Sequence, residues 1–100
     1  MISLLVSCNV QKASELVERN LHIIKMKVNN DSTLNLNDVE PAIIFLEQTT
    51  GIQSESNGNY IGRYQPTLND YNKWLNWFEK NRDRLYWDDD HQKVKVKQRD

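Results

Sequence analysis

Residues 66–87, PTLNDYNKWLNWFEKNRDRLYW, decide the fold. They hold all three tryptophans (Trp74, Trp77, Trp87), two of the four tyrosines (Tyr71, Tyr86) and Phe78. Aromatic side chains bury a large apolar area apiece, so the core of a chain this short should be assembled around this stretch. Pro66 followed by Thr67 and, three residues on, Asp70 spells a helix start with a capping box. Leu68, Tyr71, Trp74, Leu75 and Phe78 then share one helical stripe, with Trp77 at its edge. The spacing predicts a helix over residues 67–82 that ends in Asn81-Arg82-Asp83-Arg84.

Downstream, Leu85-Tyr86-Trp87 reads as a short strand, Asp88 to Gln92 as a turn, and Lys93-Val94-Lys95-Val96-Lys97 alternates with period two. Leu85 and Trp87 would share a face with Val94 and Val96, which makes a β-hairpin over about residues 84–97 packed against the helix. The lysines would guard its outer edge against pairing with other chains.

Upstream, Val17, Leu21, Ile24 and Val28 recur at spacings of four and three, the mark of an amphipathic helix over residues 11–28. Glu15, Glu18, Arg19 and Lys25 fall mainly on its other face, and His22 beside them reads as a surface histidine. A third helical segment runs over residues 38–50, with Pro41 tolerated in its first turn. Asn37 is its expected cap, Glu40 would close a capping box, and Gly51 suits a left-handed C-terminal cap. The fold class is therefore α+β, three helices and a C-terminal hairpin, in one small globular domain over residues 9–100.

Composition narrows the chemistry. Hydrophobic residues make up 38% and charged residues 27% of the chain, and the net charge of -1 gives no electrostatic reason to expect nucleic acid. No run approaches the roughly 20 apolar residues that span a bilayer. The single cysteine, Cys8, excludes an intrachain disulfide and leaves a zinc site without thiolate help. No nucleophile–base pair, carboxylate pair or glycine-rich phosphate loop stands out, so no catalytic residue and no cofactor is expected.

Three stretches carry weaker features. In Val28 to Glu40, Asn29, Asp31, Asn35 and Asp38 fall where a calcium loop places its third, fifth, ninth and twelfth ligands. Lys27 would stand at the first ligand position and Ser32 where glycine permits the sharp turn, so the segment reads as an Asn-rich connector and no metal is expected. Asp88-Asp89-Asp90-His91 is a carboxylate and histidine cluster, read as a solvated turn. Ile52 to Gln65, with its Asn57-Gly58 pair, reads as a loop that carries Tyr60 and Tyr64. These two, with Trp77 and Tyr86, are the aromatic candidates for contact with another protein.

The N-terminus adds a resemblance. Leu5-Val6-Ser7-Cys8 resembles the lipobox of bacterial lipoprotein precursors, in which an aliphatic residue and two small or tolerated residues precede the lipidated cysteine. The resemblance implies that Cys8 carries a diacylglycerol and that residues 1–8 are the remnant of a signal peptide. The departure lies before it, where Met1 leaves no room for a basic region or for an apolar region of about 7–15 residues. The pattern of residues 66–88 also resembles a C-terminal segment of small exported bacterial proteins and brings no activity with it.

The expected function is a non-enzymatic, extracytoplasmic, lipid-anchored module of the cell envelope that binds another protein, with an immunity or inhibitor protein as one subtype. The alternatives are a cytoplasmic interaction or structural domain, in which the N-terminus is part of the fold, and a degenerate calcium-loop module.

Overall fold

The computed structural model describes residues 2–55 and 65–97, with the side chains of the first helix described from Val10 onward. Helix α1 spans Ile2–Val28, helix α2 Val39–Thr50 and helix α3 Leu68–Asn81; strands β1 (Leu85–Asp88) and β2 (Lys93–Val96) follow. Three helices and a C-terminal antiparallel hairpin make the fold α+β.

Helix α1 begins nine residues before the expected start at residue 11. Residues 2–28 contain neither glycine nor proline, so nothing breaks the backbone hydrogen bonding. The pattern marks where the helix is packed, and the described core starts at Ala13. At the other end Asn30 adopts a left-handed backbone, φ 56°. Its N–H and that of Asp31 bond back to the carbonyls of Lys27 and Met26 at 3.1 and 2.9 Å, the Schellman closure of a helix.

The connector to α2 is capped differently from expectation. Asn35, not Asn37, does the capping: its side chain accepts from the Asn37 N–H at 3.0 Å and starts a single 3-10 turn, Leu36–Asp38. That turn runs straight into α2, so Asp38 at the junction makes no side-chain cap bond and Glu40 has no capping box to close. Helix α2 buries Val39, Ala42, Ile43 and Leu46, while Ile44 lies on its outer side at 38% exposure. Gly51 ends it with φ 76°. No atom lies within 4 Å of the position a Cβ would take there. Gly51→Ala should therefore cost only the backbone penalty of the left-handed region, about 1 kcal/mol, and Gly51→Asn less. A denaturant midpoint lowered at unchanged slope checks it.

The aromatic helix starts as its sequence dictates. Thr67 Oγ1 accepts from the Asp70 N–H at 2.9 Å, and Asp70 Oδ2 accepts from the Thr67 N–H at 3.0 Å, the reciprocal capping box. Asp70 does more than cap. It is 1% exposed, and its carboxylate also accepts from Ser54 Oγ at 2.5 Å and from the Glu55 N–H at 2.9 Å. Glu47, near the end of α2, accepts from the Ser54 N–H at 2.9 Å, and the Trp74 indole N–H donates to the Ile52 carbonyl at 3.0 Å. The chain that leaves α2 is thus tied to α3 through buried polar groups, each supplied with a partner. Leu68, expected on the apolar stripe, is 59% exposed. It lies in the first turn of α3, where Asp70 takes the buried side.

Helix α1 lies at the centre and touches α2, α3 and β1. The core joins Val17, Leu21 and Ile24 of α1 to Ile43 and Leu46 of α2, with Trp74 and Phe78 of α3 and Leu85 and Val94 of the hairpin. Register pairs Leu85 with Val96 and Trp87 with Val94, so these four residues share the inner face as the alternation predicts.

Candidate functional site

Two flanks of α3 have different fates. Asp70, Trp74, Trp77 and Asn81 form one row, and Tyr71, Leu75, Phe78 and Arg82 form the next. Phe78 is buried, while Tyr71 and Leu75 are half-buried because they line an open groove between α3 and α1. The opposite wall comes from α1, where Glu15, Glu18, His22 and Lys25 follow helical spacing, with Arg19 beside them. The groove has a volume of about 680 Å³. The stretch from Glu15 to Lys25 is about 15 Å long at the helical rise, nearly three turns.

The charges of the groove are unevenly matched. Arg82 Nη2 lies 3.2 Å from Glu18 Oε1, and its guanidinium stacks 4.6 Å from the Phe78 ring centroid, closing one end. Both partners are more than half exposed, so the pair contributes little to stability and mainly fixes the shape of that end. Glu15 accepts from Gln11 Nε2 at 3.1 Å. Arg19 and Lys25, both exposed, have no carboxylate partner among the described residues. An apolar floor of Tyr71, Leu75 and Phe78 thus lies beneath two cations and one carboxylate, Glu15, that have no ion-pair partner among the described residues, and a surface histidine.

The other sequence candidates fall elsewhere. Trp77 is half-buried against the core on the flank turned away from the groove, and its carbonyl accepts from Asn81 Nδ2 at 2.8 Å. Tyr86 is half-buried on the outer face of the hairpin, opposite Lys95 in the register. Neither joins the groove. Tyr60 and Tyr64, with the Asn57-Gly58 pair, lie outside the described residues. Cys8 belongs to the backbone of α1, and its side chain is likewise outside them.

The polar connector is occupied by its own turns. Asp31 Oδ1 accepts from the Thr33 hydroxyl at 2.6 Å and the Thr33 N–H at 2.9 Å, and the hydroxyl bond leads in holding its carboxyl below the ordinary range. Asn35 caps the 3-10 turn, and Asn29 and Asp38 are exposed without converging on either. Among the described residues no group of three or more His, Cys, Asp or Glu side chains could share one ion.

The Asp88 turn is a local ion cluster. Lys95 Nζ and His91 Nδ1 each lie 2.8 Å from Asp88 Oδ2, and the Lys95 bond first, then that of His91, holds the Asp88 carboxyl well below the usual carboxylate range. A folded-state value below the unfolded one means that the stabilisation is complete above about pH 4 and is lost as pH falls through the folded value. The hairpin should loosen below about pH 4, and Asp88→Asn should remove that acid limb. Amide exchange of β1 and β2 between pH 6 and pH 2, compared between wild type and variant, measures it. Lys95 is raised by the same contact, so its share is present below its unfolded value and is lost only in strong base.

No protein-family model matches the chain, and comparisons with curated proteins and with solved structures give no match.

Proposed function

We propose that the chain is a non-enzymatic protein-binding module that seats an acidic amphipathic helix of a partner protein in the groove between α1 and α3. The observation that supports this is the pairing of an apolar floor, half-buried Tyr71 and Leu75 beside buried Phe78, with Arg19 and Lys25, cations that no described carboxylate satisfies. A floor of rings and aliphatic side chains between two helices offers a third helix the anchoring positions i, i+3, i+4 and i+7. The unmatched cations select its charge and would speed association. An inhibitor or immunity protein acts in this manner, by surface complementarity alone.

Selection of peptides from a random display library against the wild-type protein tests the reading even while the partner is unidentified. Enriched sequences should be acidic and apolar at helical spacing, and their binding should shift the amide resonances of Arg19, His22, Lys25 and Leu75. Enriched peptides that are basic, or that bind away from α1 and α3, would refute it.

A membrane tether forms part of the proposal and rests on the lipobox resemblance of Leu5-Val6-Ser7-Cys8. With Cys8 as the first residue, α1 would still run unbroken to the core, and Ala13 would follow five residues later, about 7.5 Å along the helix. Two acyl chains on the cysteine suffice for stable anchoring. Metabolic labelling with a fatty acid in a bacterial host should mark the wild type and spare Cys8→Ser; absence of label on the wild type removes the tether.

A further inference from the structure

A second concavity lies on a different flank of α1. Its lining shares no residue with that of the groove, and Leu16 is turned roughly 160° from Glu18 and roughly 120° from His22 on the helical wheel. Leu16 of α1, Phe45 of α2, and Trp87 and Val94 of the hairpin surround a space of about 300 Å³. Val94 is buried at its base, while Leu16, Phe45 and Trp87 are half-buried around it. The polar lining is contributed by Gln48 and Thr49 of α2 and by Gln92 and Lys93 of the hairpin.

This lining has a definite chemical bias. Two ring systems and two aliphatic side chains form the walls, and no carboxylate is among the lining residues. Lys93 supplies the single formal charge. Its register partner Asp88 pairs with Lys95 and His91 instead, which leaves the Lys93 ammonium without a carboxylate among the described residues. The Gln92 amide donates to the Asp89 carbonyl at 2.7 Å, which orients that side chain at the rim. Trp87 is likewise fixed: its indole N–H donates to Asp89 Oδ1 at 2.7 Å, and Lys12 Nζ sits 4.5 Å from its ring centroid. A small apolar cleft with a few convergent polar groups is the usual form of a small-molecule site, and about 300 Å³ is the lower end of the usual size range.

We propose that this cleft binds a small aromatic carboxylate, its ring between Phe45, Trp87, Leu16 and Val94 and its carboxylate on Lys93. Hydroxyl and amide groups of Thr49 and Gln48 complete the polar end. The site requires neither the groove nor a protein partner.

The probes are 3-phenylpropionate, its neutral amide and 3-phenylpropylamine, titrated separately into the full chain and followed by amide and indole resonances. The carboxylate should give saturable shifts at Thr49, Val94 and the Trp87 indole, with the amide and the amine at least fivefold weaker. Lys93→Gln, an exposed position at the start of β2, should remove that preference while the spectrum remains folded. Gln48→Trp, an exposed helix position placed to fill the cleft, should abolish the shifts. No saturation by 10 mM, equal binding of the three probes, shifts confined to other surfaces, or an unaltered preference in Lys93→Gln would each overturn the proposal.

Discussion

Replacing Asp70 with Ala is expected to lower the unfolding free energy by about 3–5 kcal/mol, because three donors, one of them the Thr67 N–H of the capping box, lose their acceptor while the Thr67 cap itself remains. The carboxylate is 1% exposed and accepts from Ser54 Oγ and from the N–H groups of Glu55 and Thr67. Alanine leaves all three donors in place, the Ser54 hydroxyl buried and the two N–H groups partly buried. For a domain of this size a loss of that order lowers Tm by roughly 15–25 °C. Asp70→Asn should cost less, about 1–3 kcal/mol, because its oxygen can still accept from Ser54 Oγ and the Thr67 N–H while its NH2 group turns a donor toward the Glu55 N–H. The double variant Ser54→Ala, Asp70→Ala should cost less than the two single changes added together, since they share one bond. Thermal unfolding followed by circular dichroism measures all four proteins. A loss below about 1 kcal/mol for Asp70→Ala would show that the capping-box bond alone matters and that the loop after α2 is not held by Asp70.

Trp74→Ala is expected to cost a similar amount, about 3–5 kcal/mol, by a different mechanism. Trp74 is fully buried between α3 and the rest of the core, and its removal leaves a cavity that rigid neighbours fill poorly. Its indole also satisfies the Ile52 carbonyl, so Trp74→Phe keeps much of the volume and forfeits the bond, a loss of about 1–2 kcal/mol. Trp77→Ala, at a half-buried position on the same helix, should cost less than Trp74→Ala. Chemical denaturation of the three variants gives the order directly. Trp74 and Asp70 lie one turn apart on α3, and both grip the segment 52–55, so that segment should lose amide protection in either variant before the helices do.

Local reasons explain why some of this architecture is readable from sequence and some is not. The period-two alternation of Lys93 to Val96 and the position of Trp87 determine the hairpin register, because a one-residue slip would turn Val94 outward. The capping box is legible because Thr67 and Asp70 stand three apart beside a proline. The start of α1 is obscured in the sequence: Ile2, Val6 and Val10 continue the spacing of Ala13, Val17 and Leu21, but they fall in or beside the stretch that resembles a lipobox, and nothing in residues 2–9 breaks a helix. The cap before α2 lies two residues ahead of its expected position because a 3-10 turn, which leaves little trace in a sequence, is inserted before the helix.

The candidate site is legible only in part. Tyr71, Leu75 and Phe78 are visible as an apolar row, but a row does not reveal that it borders a groove instead of the core. That depends on α1 crossing beside it, a long-range fact. Arg19, His22 and Lys25 look like an ordinary solvated helix face, and only their position opposite that row gives them a role. Glu47 and Ser54 are hidden for the same reason: each is a common polar residue until tertiary packing buries Ser54 between Glu47, which takes its N–H, and Asp70, which takes its hydroxyl. By contrast Trp77 and Tyr86, candidates on their chemistry alone, lie outside the groove.

The most direct test of the proposed function is a charge exchange across the groove. Arg19→Glu combined with Lys25→Glu alters two exposed residues and leaves the core untouched, so the variant should fold as the wild type does. Its affinity for an acidic peptide selected on the wild type should fall at least thirtyfold. A peptide with Lys at the facing acidic positions should recover most of that loss on the variant and bind the wild type poorly. Equal affinity of wild type and variant for the acidic peptide would contradict the assignment of the groove as the partner's seat.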